Sequence, residues 1–137
     1  MKKINLCLML LALYVGALAQ HANIKVVLDV TSADEKVYNA AVRHALGMSE
    51  AYPDAQIEIV IYSNAINMVL KEKSTVAEQV ATLTARENVT VAVCKQTMKR
   101  YKVDATQLIK GVIPVDDGII EIVLKQNEGW AYIKEGT

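Results

Sequence analysis

The sequence predicts an α/β domain of three layers (α/β/α), with helices on both faces of a mostly parallel sheet of about five strands and a flavodoxin-like layering. Three observations lead there. Short runs rich in β-branched and aromatic residues alternate with helix-like stretches. Several of those runs are almost continuously apolar, as strands covered on both faces are. The stretches between them open on helix-start signals and carry apolar residues at helical spacing. The resulting order is β-α-β-α-β-α-β-α-β.

The first strand is IKVVLDV (24–30). Ser32-Ala33-Asp34-Glu35 then reads as a capping box for a helix to about Ala51, stopped before Pro53. Its stripe is Val37, Ala41, His44, Ala45 and Met48. QIEIVIY (56–62) is the second strand, followed by a short helical turn over 65–70. Thr75-Val76-Ala77-Glu78 reads as a second capping box, with a helix to about Glu87. VTVAV (89–93) is the third strand and 95–101 the helix after it; Asp104-Ala105-Thr106-Gln107 starts one more turn.

GVIPV (111–115) and WAYI (130–133) complete the strands. Between them, IIEIVLK is strand-like by propensity. Yet Ile119, Ile120, Val123, Leu124 and Asn127 fall on one helical face, and Gly129 stands where a left-handed C-terminal cap belongs. The segment is therefore expected to be a helix. Strand order stays open, because right-handed connections allow several arrangements.

The first nineteen of the 137 residues, MKKINLCLMLLALYVGALA, read as a cleavable secretory signal. Lys2 and Lys3 precede an apolar run, and Ala17 and Ala19 are the small residues before a cut at Gln20. The run is too short and wrongly flanked for a stable membrane span. The expectation is an exported, periplasmic protein whose single domain covers 20–137. The full chain carries 15 basic and 15 acidic residues, so loss of the two lysines leaves a net charge of −2. That balance gives no electrostatic footprint for nucleic acid or for an anionic membrane.

Of the two cysteines, Cys7 falls within the signal, so Cys94 is the lone thiol expected in the mature chain. A CxxC mechanism and an internal disulfide are thereby excluded. Cys94 ends a strand just before a helix, where backbone N–H groups and the helix dipole favour an anion such as a thiolate. Lys95, Lys99 and Arg100 add positive charge nearby. Position alone leaves open whether Cys94 is reactive or a buried small hydrophobe.

Other candidates are weaker. His21 lies in a loose N-terminus and His44 on an apolar stripe, neither at a motif spacing, so no metal site is expected. Asp116-Asp117-Gly118 reads as a turn that starts a helix, and KEKS (71–74) as a solvated loop. TSADEK after the first strand has no glycine, which excludes a dinucleotide fingerprint or a P-loop. Thr31 and Ser32 are explained by capping. Trp130 and Tyr132 share a strand face and read as packing residues. No cofactor is expected.

VAVCKQTMK (91–99) and GVIPVDDGIIEIVLKQNEGWAYI (111–133) resemble the DsrE/DsrF-like (DsrEFH) family of small sulfur-relay proteins, and IEIVIYSNAINMVL (57–70) matches it more loosely. Where relatives often carry His-Gly or Gly after the second strand, this chain has Ser63-Asn64. The resemblance implies assembly as a homo-oligomer, commonly a trimer or hexamer. It also implies a cysteine, here Cys94, that carries sulfur as a persulfide between a donor and an acceptor. Lys95, Thr97 and Asn64 accompany it as candidate anion- or substrate-binding residues. The alternative is a secreted, non-enzymatic binding or assembly module in which Cys94 is inert.

Overall fold

The computed structural model describes residues 24–136; the expected signal, Cys7 and His21 lie outside them. Five strands form one sheet: β1 (Lys25–Val30), β2 (Gln56–Ile61), β3 (Val89–Cys94), β4 (Ile113–Val115) and β5 (Ala131–Lys134). The helices are α1 (Glu35–Ala51), α2 (Ala77–Thr84), α3 (Lys95–Tyr101) and α4 (Gly118–Asn127), with 3₁₀ segments at Ser63–Val69 and Ala105–Gln107. The strand order is β4-β3-β2-β1-β5, and every pairing is parallel.

That order explains the layers. From β1 to β4 each strand steps to its neighbour in one direction, so right-handed connections carry the intervening helices over one face. The return from β4 to β5 crosses the whole sheet in the other direction, and the same rule sends α4 to the opposite face. The core divides accordingly. Val26, Leu28 and Val30 of β1, Ile57, Ile59 and Ile61 of β2, and Val89, Val91 and Val93 of β3 pack against Val37, Ala41, Val80, Leu83 and Met98 on the first face. Val27 and Val60 meet Ile122 of α4 on the second, flanked by Tyr62 and Trp130. Being buried on both sides, β1 to β3 read as nearly continuous apolar runs.

Helix ends differ in detail from the sequence expectation. Asp34, rather than Ser32, caps α1 by accepting from the Lys36 N–H, while the Ser32 hydroxyl accepts from the Asp34 N–H. The second capping box does not form: α2 begins after Val76 without a side-chain cap, and Ser74 Oγ accepts from the Val76 N–H instead. The box at Asp104 and Gln107 is present in full.

The 118–127 segment is a helix, capped by Asp117 Oδ1 on the Ile119 and Ile120 N–H groups. It closes as a Schellman motif. Gly129 has φ 86°, and the N–H groups of Trp130 and Gly129 donate to the Lys125 and Gln126 carbonyls. The apolar stripe that identifies it is not the face turned to the sheet. Ile122 is buried, whereas Ile119, Ile120, Val123 and Leu124 are 58%, 55%, 44% and 51% exposed.

A buried ion pair fixes the far end of α4. Lys125 Nζ lies 2.8 Å from the Glu58 carboxylate, whose side chain is 3% exposed, and 4.6 Å over the Trp130 ring. Burial raises the Glu58 pKa; the bond and charge of Lys125 oppose that shift without reversing it. For Lys125 burial acts downward, but Glu58, Glu121 and Glu128 outweigh it and hold the ammonium above its ordinary range. Among the described residues no helix is long and apolar enough to cross a membrane.

Candidate functional site

In an open α/β sheet a ligand crevice forms at the carboxyl ends of neighbouring strands whose chains leave toward opposite faces. Here that point lies between β3 and β4. β3 continues into α3, whose Met98 joins the first-face core, and β4 continues toward α4 on the second face. Cys94 is the last residue of β3, in register with Val115 of β4. It is also the N-cap residue of α3, in an extended conformation at φ −69° and ψ 122°, with no capping bond from its side chain. Strand alternation turns Val91 and Val93 to the first face, which leaves Ala92 and Cys94 on the second. The thiol is 5% exposed and is the only cysteine among the described residues.

The loop after β2 forms one wall. Ser63 adopts φ 56°, a left-handed conformation that costs a residue with a Cβ about 1–2 kcal/mol. Its N–H donates to Thr97 Oγ1 at 2.9 Å, which ties this loop to the first turn of α3. A hydrogen bond from the Ser63 backbone therefore holds the left-handed turn in place. On the other side, Gly118 opens α4 against Tyr62: a Cβ there would lie 3.2 Å from three atoms of the tyrosine side chain.

Tyr62 connects the thiol to a polar cluster that sequence reading did not anticipate. Asp29, 4% exposed, accepts from Tyr132 Oη at 2.7 Å and from Tyr62 Oη at 3.4 Å through one oxygen. Its other oxygen accepts from Lys134 Nζ at 3.1 Å. Lys134 also donates to Thr31 Oγ1 and sits 5.9 Å from the Tyr62 ring centroid. Burial first, then the Asp29 charge and bond, and then the charges of Tyr132 and Cys94, push the Tyr62 pKa up to about 12. The bond to Asp29 leads at Tyr132, followed by burial, and that pKa also reaches about 12. Both phenols are thus hydrogen donors at neutral pH and not bases. Of these side chains only Cys94 is suited to be a nucleophile.

The other sequence candidates are each engaged within the chain. Lys95 Nζ pairs with Asp116 Oδ1 at 2.6 Å, which holds the exposed Asp116 carboxyl below its usual range. Thr97 is buried and accepts from Ser63. Asn64 Oδ1 accepts from Tyr101 Oη at 2.8 Å. Asp117 caps α4. His44 departs from the packed stripe: its side chain is 49% exposed, and Nδ1 lies 3.0 Å from Glu135. Trp130 packs beside the second-face core and Tyr132 bonds Asp29, so both are structural here. Among the described residues no three His, Cys, Asp or Glu side chains gather to hold a metal ion.

Comparison with known proteins matches residues 16–134 to the DsrE/DsrF-like family. The chain belongs to that family. It is similar to the protein of unknown function MTH1491 from Methanobacterium thermoautotrophicum, with 29% identity, a TM-score of 0.75, and coverage of 81% of this chain and 98% of that one. It shares its fold with the ychN protein from E. coli at 19% identity and a TM-score of 0.67, covering 82% and 97% of the two chains. No curated protein matches it. The DsrE/DsrF-like domain thus has the sulfur-relay type of fold, a five-stranded parallel sheet with Cys94 at its switch point.

Proposed function

We propose that this DsrE/DsrF-like protein carries sulfur as a persulfide on Cys94, outside the cytoplasm and as a homo-oligomer. The observation that supports it is the placement of the lone described thiol at the carboxyl end of β3, where the crevice of such a sheet opens. In the loading step the Cys94 thiolate attacks the outer sulfur of a donor persulfide, R–S–SH. A Cys94 S–S bond forms, the donor S–S bond breaks, and the thiolate RS⁻ leaves. An acceptor thiolate then attacks the outer sulfur of Cys94–S–SH and regenerates the Cys94 thiolate. No net oxidation occurs, no second cysteine in the chain is needed, and neither a metal nor a nucleotide takes part.

One observation favours the second reading, an assembly or binding module with an inert cysteine: the thiol is buried. Rates of labelling separate the two. A carrier labels with a small alkylating reagent in the native state at a rate comparable to the unfolded chain. An inert packing residue labels only after unfolding, and that outcome would displace the carrier reading.

The export part of the proposal rests on the signal-like residues 1–19. Assembly is supported by the exposed apolar face of α4. Contiguous apolar surface of this kind marks contact sites more often than solvent-facing surface.

A further inference from the structure

A groove opens on the other face of the sheet, two strands from Cys94. It has a volume of about 440 Å³ and runs between α1 and β5. Leu28 and Ile133, register partners on β1 and β5, form its floor, and Met48 of α1 one wall. Its rim is polar, formed by the Arg43 guanidinium and the paired His44 and Glu135. His44 turns Nδ1 toward Glu135, with 3.0 Å and 3.1 Å to the two oxygens of a carboxylate that is 3% exposed. A carboxylate only accepts, so Nδ1 carries the proton and the ring is fixed with Nε2 away from Glu135. Arg43, on the same rim, forms no ion pair among the described residues.

Gly47 leaves the α1 surface open beside the groove. It sits within α1, where glycine costs roughly 1 kcal/mol relative to alanine. A Cβ there would meet nothing within 4 Å, so neither close approach nor chain packing requires glycine. Gly47 borders both this groove and a neighbouring hollow lined by Asn39, Glu50 and Gln79, so a larger side chain there would narrow the open surface of α1.

We propose that this groove binds a small amphipathic monocarboxylate. Its alkyl or aryl part lies on Leu28, Met48 and Ile133, and its carboxylate meets the Arg43 guanidinium. Glu135 orients His44 and, already bonded to it, does not compete for Arg43.

The test is titration of the full chain with sodium octanoate below its micelle-forming range, followed by the amide and methyl NMR signals of Met48, Ile133 and His44. The expected result is saturable binding confined to these residues, with no comparable binding of octylamine. Arg43→Gln is expected to weaken octanoate binding about tenfold or more, as loss of a charge-assisted bond does. Gly47→Leu narrows the groove while improving helix propensity, so it keeps or raises the melting temperature and weakens binding. Absence of saturable binding would overturn the proposal. So would equal binding of octylamine, or undiminished binding by either folded variant.

Discussion

At the residue scale, Asp29 is the side chain around which the carboxyl edge is organised. It accepts from two tyrosines and a lysine while itself nearly inaccessible. Because its bond is the leading cause of the Tyr132 shift and only a secondary cause of the Tyr62 shift, the two phenols respond differently to its removal. In Asp29→Asn the Tyr132 pKa returns toward its ordinary value. Tyr62 remains raised, because burial persists. Ultraviolet titration of the tyrosinates measures both, and the variant loses about 1–3 kcal/mol of stability at neutral pH.

The sign of the alkaline limb follows from the same shifts. A raised tyrosine pKa means that the fold favours the protonated phenol. The stabilisation is therefore complete below pH about 10 and is lost as the pH climbs from there to about 12. Denaturant midpoints measured across that range are expected to fall.

Asp29 was also the least legible of these residues. In IKVVLDV it is one acidic residue in an apolar strand, and nothing local points to Tyr62 after β2 or to Tyr132 and Lys134 near the end of the chain as its partners. Two of its three donors, Tyr132 and Lys134, come from β5, which pairs with β1 only through the strand order. Cys94 was legible because its signal is local: a strand run that stops at the first residue of a helix. Ser63 shows an intermediate case. Ser63-Asn64 is visible in the sequence as a loop after the second strand, but the positive φ of Ser63 and its bond to Thr97 are not.

At the scale of elements, α4 depends on one charged contact at its C-terminal half and one apolar contact in its middle. Lys125→Met strands the buried Glu58 carboxylate and is expected to cost about 3–5 kcal/mol at neutral pH. With Lys125 gone, the Glu58 pKa rises further, since burial then acts unopposed by the lysine. A carboxyl with a raised folded pKa stabilises the fold when protonated. The variant thus regains part of its loss as the pH falls through that raised value, and chemical denaturation at neutral and acidic pH measures the recovery. Pairing Glu58→Met with Lys125→Met removes the stranded charge and restores most of the stability.

The helix assignment of this segment succeeded on periodicity and on Gly129, although strand propensity pointed the other way. The direction of its apolar stripe was not legible, because a helix that covers a sheet alone needs only a narrow inward face. Ile122 and Gly118 supply it. The failed capping box at Thr75 has a similar lesson. Its residue types fit a cap, but the chain there is held by Ser74, whose hydroxyl donates to the Met68 carbonyl and accepts from the Val76 N–H.

For the whole molecule, the single return crossover from β4 to β5 has two consequences. It puts the switch point beside the lone described thiol, and it leaves one helix on the second face with four large apolar side chains turned outward. If that face is the subunit contact, sedimentation of the wild-type chain gives an assembly, and Ile120→Glu with Leu124→Glu gives a folded monomer. A wild-type monomer at micromolar concentration would contradict it. Strand number, parallel pairing and layering were readable because both-face burial leaves a compositional trace. Strand order was not, since it resides in contacts between segments that carry no mutual signal.

The persulfide account meets its most direct test in the intact mass of the mature chain (residues 20–137), whose single thiol is Cys94, after exposure to a polysulfide donor and, in a second step, to a thiol acceptor. It predicts gains of about 32 Da per sulfur at Cys94, lost again to the acceptor and absent in Cys94→Ala. A native protein that takes up no sulfur at Cys94, while the unfolded chain does, would contradict it.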